Sequence, residues 1–135
     1  MIVENTVSSN ARATYPSLRG KRVVITGGAS GIGAGLVEGF VAQGARVAFV
    51  DIAEADGDAL AERLGQGAAH PPVFRRLDLT DIDAVQATLA ELIATLGGLD
   101  VLVNNAANDD RHTVAEVTPA YWDERMAVNL RHLFF

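Results

Sequence analysis

The sequence predicts an α/β fold: a doubly wound parallel sheet, of which this chain supplies the N-terminal portion, with about four strands and their crossover helices. Three observations predict it. From Lys21 onward, apolar β-branched runs alternate with segments of helical spacing, the pattern of strand-helix-strand units with right-handed crossovers. A glycine-rich run, Thr26-Gly27-Gly28-Ala29-Ser30-Gly31-Ile32-Gly33, lies between the first apolar run and the first helical one. Polar residues Thr26, Asp51, Asp78 and Asn104 fall at or just past four consecutive strand ends, where ligands of such sheets bind.

Each element has its own warrant. Lys21 to Thr26 reads as the first strand, and Ile32 to Gln43 as a helix stopped by Gly44, which suits a left-handed cap. Arg46 to Val50 is a second strand closing on Asp51. Glu54 to Leu64 has helical spacing and stops near Gly65. Gly65 to Pro72 reads as a loop from its Gly and Pro content, and Val73 to Leu77 as a third strand. Thr80 is expected to cap a helix over Asp81 to Leu96, whose Val85, Leu89, Leu92, Ile93 and Leu96 share one face. Gly97-Gly98 ends it. Leu99 to Val103 is expected to be a fourth strand covered on both faces. Asn104 to Val117 is a polar loop. Thr118-Pro119 opens a last helix expected to run through Trp122 and Asn129 toward Phe135.

At 135 residues the chain is one domain or part of one. Residues 1–18 read as a polar extension. Residues 19–135 read as the N-terminal, cofactor-binding part of a single domain whose C-terminal part is absent. No run of about eighteen apolar residues predicts a membrane span, and no export signal precedes the fold, so a cytoplasmic protein is expected. A net charge of −6 speaks against a nucleic-acid partner. The absence of cysteine removes disulfides and thiolate metal ligands, and no metal site is expected.

The glycine run proposes a phosphate site. Glycines allow a sharp turn and close approach of backbone to a pyrophosphate, and the N–H groups that open the next helix face the anion. Gly27, Ser30, Gly31, Ile32 and Gly33 are the candidates. Asp51, 18 residues beyond Gly33, suits hydrogen bonds from adenosine ribose hydroxyls and would repel a 2′-phosphate. Ile52, which follows Asp51, is a further cofactor candidate; neither it nor Ala29 or Ser30 offers a cation, so NAD is favoured over NADP. Asp78 suits an adenine amino group, with Leu79 packing on the ring. Asn105, Ala106 and Ala107 end the fourth strand: small residues admit a cofactor, and an Asn side chain can tie strands through backbone groups. The absence of Lys-Ser or Lys-Thr after the glycines excludes a P-loop NTPase. An S-adenosylmethionine methyltransferase shares the glycine loop and acidic strand ends, but the double Asn and the Gly-Ile-Gly spelling argue against it.

Together Thr26 to Gly33, Asp51, Asp78-Leu79, Asn104-Asn105-Ala106 and Val128-Asn129-Leu130 resemble the short-chain dehydrogenase/reductase family over residues 19–135. The resemblance implies a Rossmann-type oxidoreductase that passes a hydride between a nicotinamide and a hydroxyl or carbonyl carbon, working as a dimer or tetramer on a small-molecule substrate. It implies a catalytic role for Asn129. Ala107 departs from the family's usual glycine. Tyr15-Pro16-Ser17-Leu18, Ser30 to Leu36, Asn108-Asp109-Asp110-Arg111-His112 and Tyr121 to Arg125 are similar to bacterial NAD-dependent members that oxidise the anomeric hydroxyl of D-xylose. On that reading Asn108, Asp109 and His112 are substrate candidates.

The family's Ser, Tyr and Lys have no match here. Lys21 is the only lysine, no serine follows Ser30, and both Tyr15 and Tyr121 are followed four residues later by arginine. The expectation is a cofactor-binding stretch of a longer enzyme, without turnover of its own. The alternative is a non-catalytic dinucleotide-binding module.

Overall fold

The computed structural model describes residues 13–135. Alternation along β1 (Arg22–Thr26) sends Val23 and Ile25 to one face of the sheet and Val24 to the other. Each face needs its own cover, and the chain supplies it. Helices α1 (Gly31–Ala42) and α2 (Glu54–Gly65) bury Val37 and Leu60 against Val23, Ile25, Val47 and Phe49. Helix α3 (Ile82–Leu96) lays Val85, Leu92 and Leu96 on Val24, Ala48 and Val50 of the other face. The strands β2 (Arg46–Asp51), β3 (Val73–Arg76) and β4 (Val101–Asn104) complete one parallel sheet in the order β3-β2-β1-β4.

That order steps outward from β1 to β3, then returns to place β4 on the other side of β1. The chain leaves β1 toward β2 on one side and comes back from β3 to β4 on the other, and a crevice beyond the carboxyl ends is expected at such a switch point. The four-stranded α/β fold agrees with the sequence prediction. Gly44 has the expected left-handed φ of 77°, with Gly44 N–H donating to Val41 and Ala45 N–H to Phe40, a Schellman cap.

Four local expectations need correction. Asp81, not Thr80, caps α3: its side chain accepts from Ala84 N at 3.0 Å. Thr80 instead gives its N–H and hydroxyl to Asp78. The fourth strand starts at Val101: Asp100 N still donates to Arg22 O at 2.9 Å, but the Arg22 N–H goes to the Asp100 carboxylate and not to a strand carbonyl. Only one face of β4 is well covered: Val101 and Val103 pack under the α1 side, while Leu102 is 47% exposed because α3 lies on β1 and β2. The last helix is not continuous. It comprises α4 (Pro119–Met126), a π turn (Ala127–Arg131) and α5 (His132–Phe134). The expected extension over residues 1–18 falls mostly outside the described residues. Within them, Pro16–Leu18 forms a 3-10 turn, and the Gln43 side chain accepts from Tyr15 N and donates to Ala13 O.

Candidate functional site

The turn after β1 is fixed by three segments meeting at short range. Asn105 Nδ2 donates to the carbonyls of Thr26 at 3.2 Å and Gly27 at 2.9 Å. Thr26 Oγ1 accepts from the N–H groups of Asn105 and Ala106 at 3.1 and 3.2 Å. A Cβ on Gly33 would overlap the Gly27 carbonyl oxygen and crowd Asn105 Nδ2, and one on Gly27, where φ is 67°, would press on Ala106. Glycine is required at both positions, and a small residue at 106. The arrangement aims the first turn of α1 outward. The Ser30 side chain makes no cap, no acidic residue lies in that turn, and a Cβ on Gly31 would meet nothing within 4 Å. The N–H groups of Gly31, Ile32 and Gly33 have no acceptor within the helix, so this end can receive an anion.

A cleft of about 640 Å³ opens there, beyond the carboxyl ends of the strands. Gly27, Ser30, Gly31, Ile32 and Gly33 form its floor, and Asp51 and Ile52 stand at the tip of β2. The β3–α3 connection contributes Leu77, Asp78, Leu79 and Thr80, and the loop after β4 contributes Asn105, Ala106, Ala107, Asn108 and Asp109. Val128 closes the lining. The structure therefore brings together all twelve residues that the sequence nominated for a cofactor, with two of the three nominated for a substrate. His112 and Asn129 lie outside the lining. Leu77, Thr80 and Val128 were missed. The first and second flank Asp78-Leu79 and could have been included by adjacency; Val128 carries no signal, since a π turn places it.

Both acidic strand ends are already partly engaged. Asp51 accepts from Ala29 N through Oδ2 and from Ala53 N through Oδ1, each at 3.0 Å. Each oxygen retains a second acceptor site. Asp78 Oδ1 takes the Thr80 N–H at 2.9 Å and the Thr80 hydroxyl at 2.8 Å. These two bonds, the backbone one first, hold the Asp78 carboxyl below the usual carboxylate range, and leave Oδ2 for a ligand. The lining holds three aspartates and no lysine or arginine. Arg76 stands beside Asp51 in the strand register but outside the lining.

The polar loop after β4 is held rather than free. Asn129 Oδ1 accepts from Asn108 N at 2.7 Å, and Asn129 Nδ2 donates to Asn108 O at 2.9 Å. Arg125 pairs with Asp110 at 3.2 Å and covers the Tyr121 ring at 4.7 Å. The Tyr121 hydroxyl meets His112 Nδ1 at 2.7 Å. The widened π turn carries Val128, Asn129 and Arg131 to three different parts of the site, a use to which such bulges are often put.

A sequence model of the family described as short chain dehydrogenase matches residues 21–135. The chain belongs to the short-chain dehydrogenase family. Among its short-chain dehydrogenase relatives, a D-xylose 1-dehydrogenase of Caulobacter vibrioides is 60% identical over 91% of this chain and 48% of its own length. A probable galactose dehydrogenase of Rhizobium meliloti is 53% identical over 90% of this chain and 47% of its own. Among solved structures, a 3-ketoacyl-(acyl-carrier-protein) reductase of Brucella melitensis complexed with NADH is similar at a TM-score of 0.77. It is 28% identical, and the match covers 87% of this chain and 47% of that one. The chain thus spans about half the length of the relatives it matches. No helix among the described residues is long and apolar enough to cross a membrane.

Proposed function

We propose that this chain supplies the dinucleotide-binding half of an NAD-dependent dehydrogenase that oxidises the anomeric hydroxyl of an aldose, D-xylose or a close analogue, to the lactone. The observation that carries the reading is Asp51 at the cleft wall, beside an open helix N-terminus and with no cation in the lining. The residues fit the group: glycines clear the floor, unpaired N–H groups suit a pyrophosphate, and a carboxylate suits ribose hydroxyls. The names of the Caulobacter and Rhizobium relatives support a sugar hydroxyl as the target.

The chemistry that NAD supplies when bound is acceptance of the hydride from the sugar's C1. The chain's own residues bind and orient. Gly31, Ile32 and Gly33 offer N–H donors, Asp51 accepts from the ribose, and Asp78 with Leu79 holds the adenine. Asn105, Ala106 and Ala107 keep the floor narrow. Asn108 and Asp109 face the sugar end, and His112, outside the lining, is bonded to Tyr121. Asn129 acts through Asn108, fixing the loop on which those groups sit. The proton taken from the hydroxyl needs a base, and the family's Tyr, Lys and Ser come from outside this stretch. Its only lysine, Lys21, lies before β1, at the end of the strand remote from the cleft. We place the complete enzyme in the cytoplasm as a homo-oligomer.

The test is a titration of NAD and NADP against the chain and against Asp51→Ala. NAD should bind the wild type more tightly than NADP. Asp51→Ala should lose about 1.5–3 kcal/mol of NAD affinity, as for a charge-assisted hydrogen bond, and lose the discrimination. Unchanged affinity for both nucleotides would leave Asp51 a turn residue bound to Ala29 and Ala53. With D-xylose and NAD, the 135-residue chain should form no NADH; a measurable rate would overturn the division of labour.

A further inference from the structure

The geometry points to Arg131 as a positioning residue for the adenine end of the cleft, acting through Thr80 on Asp78. The inference rests on the dinucleotide reading given above and adds to it a residue outside the cleft lining.

The turn from Asp78 to Asp81 is wound by its own bonds. Asp78 O accepts from Asp81 N at 3.2 Å, and Asp78 Oδ1 accepts twice from Thr80. Local bonds shape such a turn but do not fix where it stands relative to the sheet. On its strand side, Leu77 N donates to Asp51 O at 2.9 Å. On its helix side, among the described residues, one side chain from another element reaches it: Arg131 Nη2 donates to Thr80 O at 2.6 Å, across 51 residues of sequence. The charged donor makes this the stronger kind of hydrogen bond. Asp81 and Asp83 border the same recess as Arg131 without pairing with it, so the Thr80 carbonyl is the partner that holds the guanidinium.

The consequence reaches the ligand site by a short path. Arg131 fixes Thr80; Thr80 fixes Asp78 Oδ1; Asp78 Oδ2 is left without a partner at the cleft that Asp78 lines. Val128, three residues before Arg131, already lines that cleft. The π turn thus fastens the β3–α3 wall through Arg131 just as it fastens the β4 loop through Asn129.

NADH fluorescence titrations of the full chain test this. Arg131→Met should weaken NADH binding about three- to tenfold, the range of one net hydrogen bond, and Arg131→Lys should recover most of it. Arg63→Met, which removes a surface ion pair on α2, should change nothing. ADP-ribose should show the same loss as NADH, and nicotinamide mononucleotide none. In an Asp78→Ala background, Arg131→Met should cost less than about twofold, because the carboxylate it orients is gone. An equal loss in both backgrounds, accompanied by a lowered Tm, would make Arg131 a general stabiliser and overturn the role. Wild-type binding with Arg131→Met indifferent would overturn this inference and leave the cofactor reading intact. A wild-type chain that does not bind NADH would overturn both.

Discussion

Gly33 and Gly35 look alike in the sequence, two residues apart in a glycine-rich helix start, yet they answer to different constraints. At Gly33 an added methyl group would run into the Gly27 carbonyl and the Asn105 amide that holds it. At Gly35 it would meet nothing within 4 Å. Gly33→Ala should therefore cost about 1–3 kcal/mol, the usual range for forced overpacking, and should weaken NADH binding by pushing α1 off the turn. Gly35→Ala should hold or raise stability by up to about 1 kcal/mol, since alanine is the better helix former. Thermal melts of the two variants check the contrast; similar losses would mean that the glycines serve helix geometry rather than the knot with Asn105. The sequence marks the run as a turn, and it nominates Asn105 as a tie between strands. Which glycine is indispensable depends on Asn105, bonded to Gly27 across 78 residues of sequence, and no local pattern carries that.

Among the elements, the β1–β4 junction shows most plainly how a polar residue can redraw a strand boundary. Arg22 reaches Asp100 by two side-chain hydrogen bonds of 2.8 Å and a backbone one of 2.9 Å, and reaches the Gly97 carbonyl at the end of α3 at 2.6 Å. The Arg22 side chain first, then its backbone N–H, holds the Asp100 carboxyl far below the ordinary carboxylate range. A carboxyl depressed in the folded state gives stability that is present above the unfolded value of about 3.9 and is lost as pH falls toward the folded one. Asp100→Asn should thus lower Tm at neutral pH, with the gap narrowing steadily below about pH 4. A gap that persists in acid would assign the effect to packing instead. Helix existence and order were legible from periodicity and from stops such as Gly44 and Gly97. Boundaries set by side-chain partners were not: Thr80 and Asp81 are equally good caps on paper, and Asp78 decides between them by taking Thr80 for itself. The π turn was invisible for the same reason, since its anchors, Asn108 and Thr80, lie in other elements.

For the molecule as a whole, the strand order β3-β2-β1-β4 explains both the site and the exposed face of β4. The cleft was legible because every marker sits at a strand end, and a parallel sheet brings all such ends to one side. The uneven cover of the sheet was not, because an apolar strand reads the same whether one or both faces are packed. Helix α3 follows β3 and lies over β1 and β2, so the face of β4 that continues Val24 is left to Leu102, which pairs with it in register. Leu102 is 47% exposed, and on the last helical segment Leu130 is 53% and Phe134 86% exposed. Beyond β4 no further strand pairs among the described residues. An unpaired edge and exposed apolar side chains are each a template for association. The 135-residue chain should therefore self-associate with rising concentration, and Leu102→Lys should oppose it, because a charged edge position resists strand addition. Phe134→Ser, at a helical position away from the edge, separates the two contributions. Sedimentation at several concentrations reads the result. Relief by Leu102→Lys alone would assign association to the β4 edge, relief by Phe134→Ser alone would assign it to the helical face, and a chain monomeric throughout would show that the exposed surface is too small or too broken to drive it.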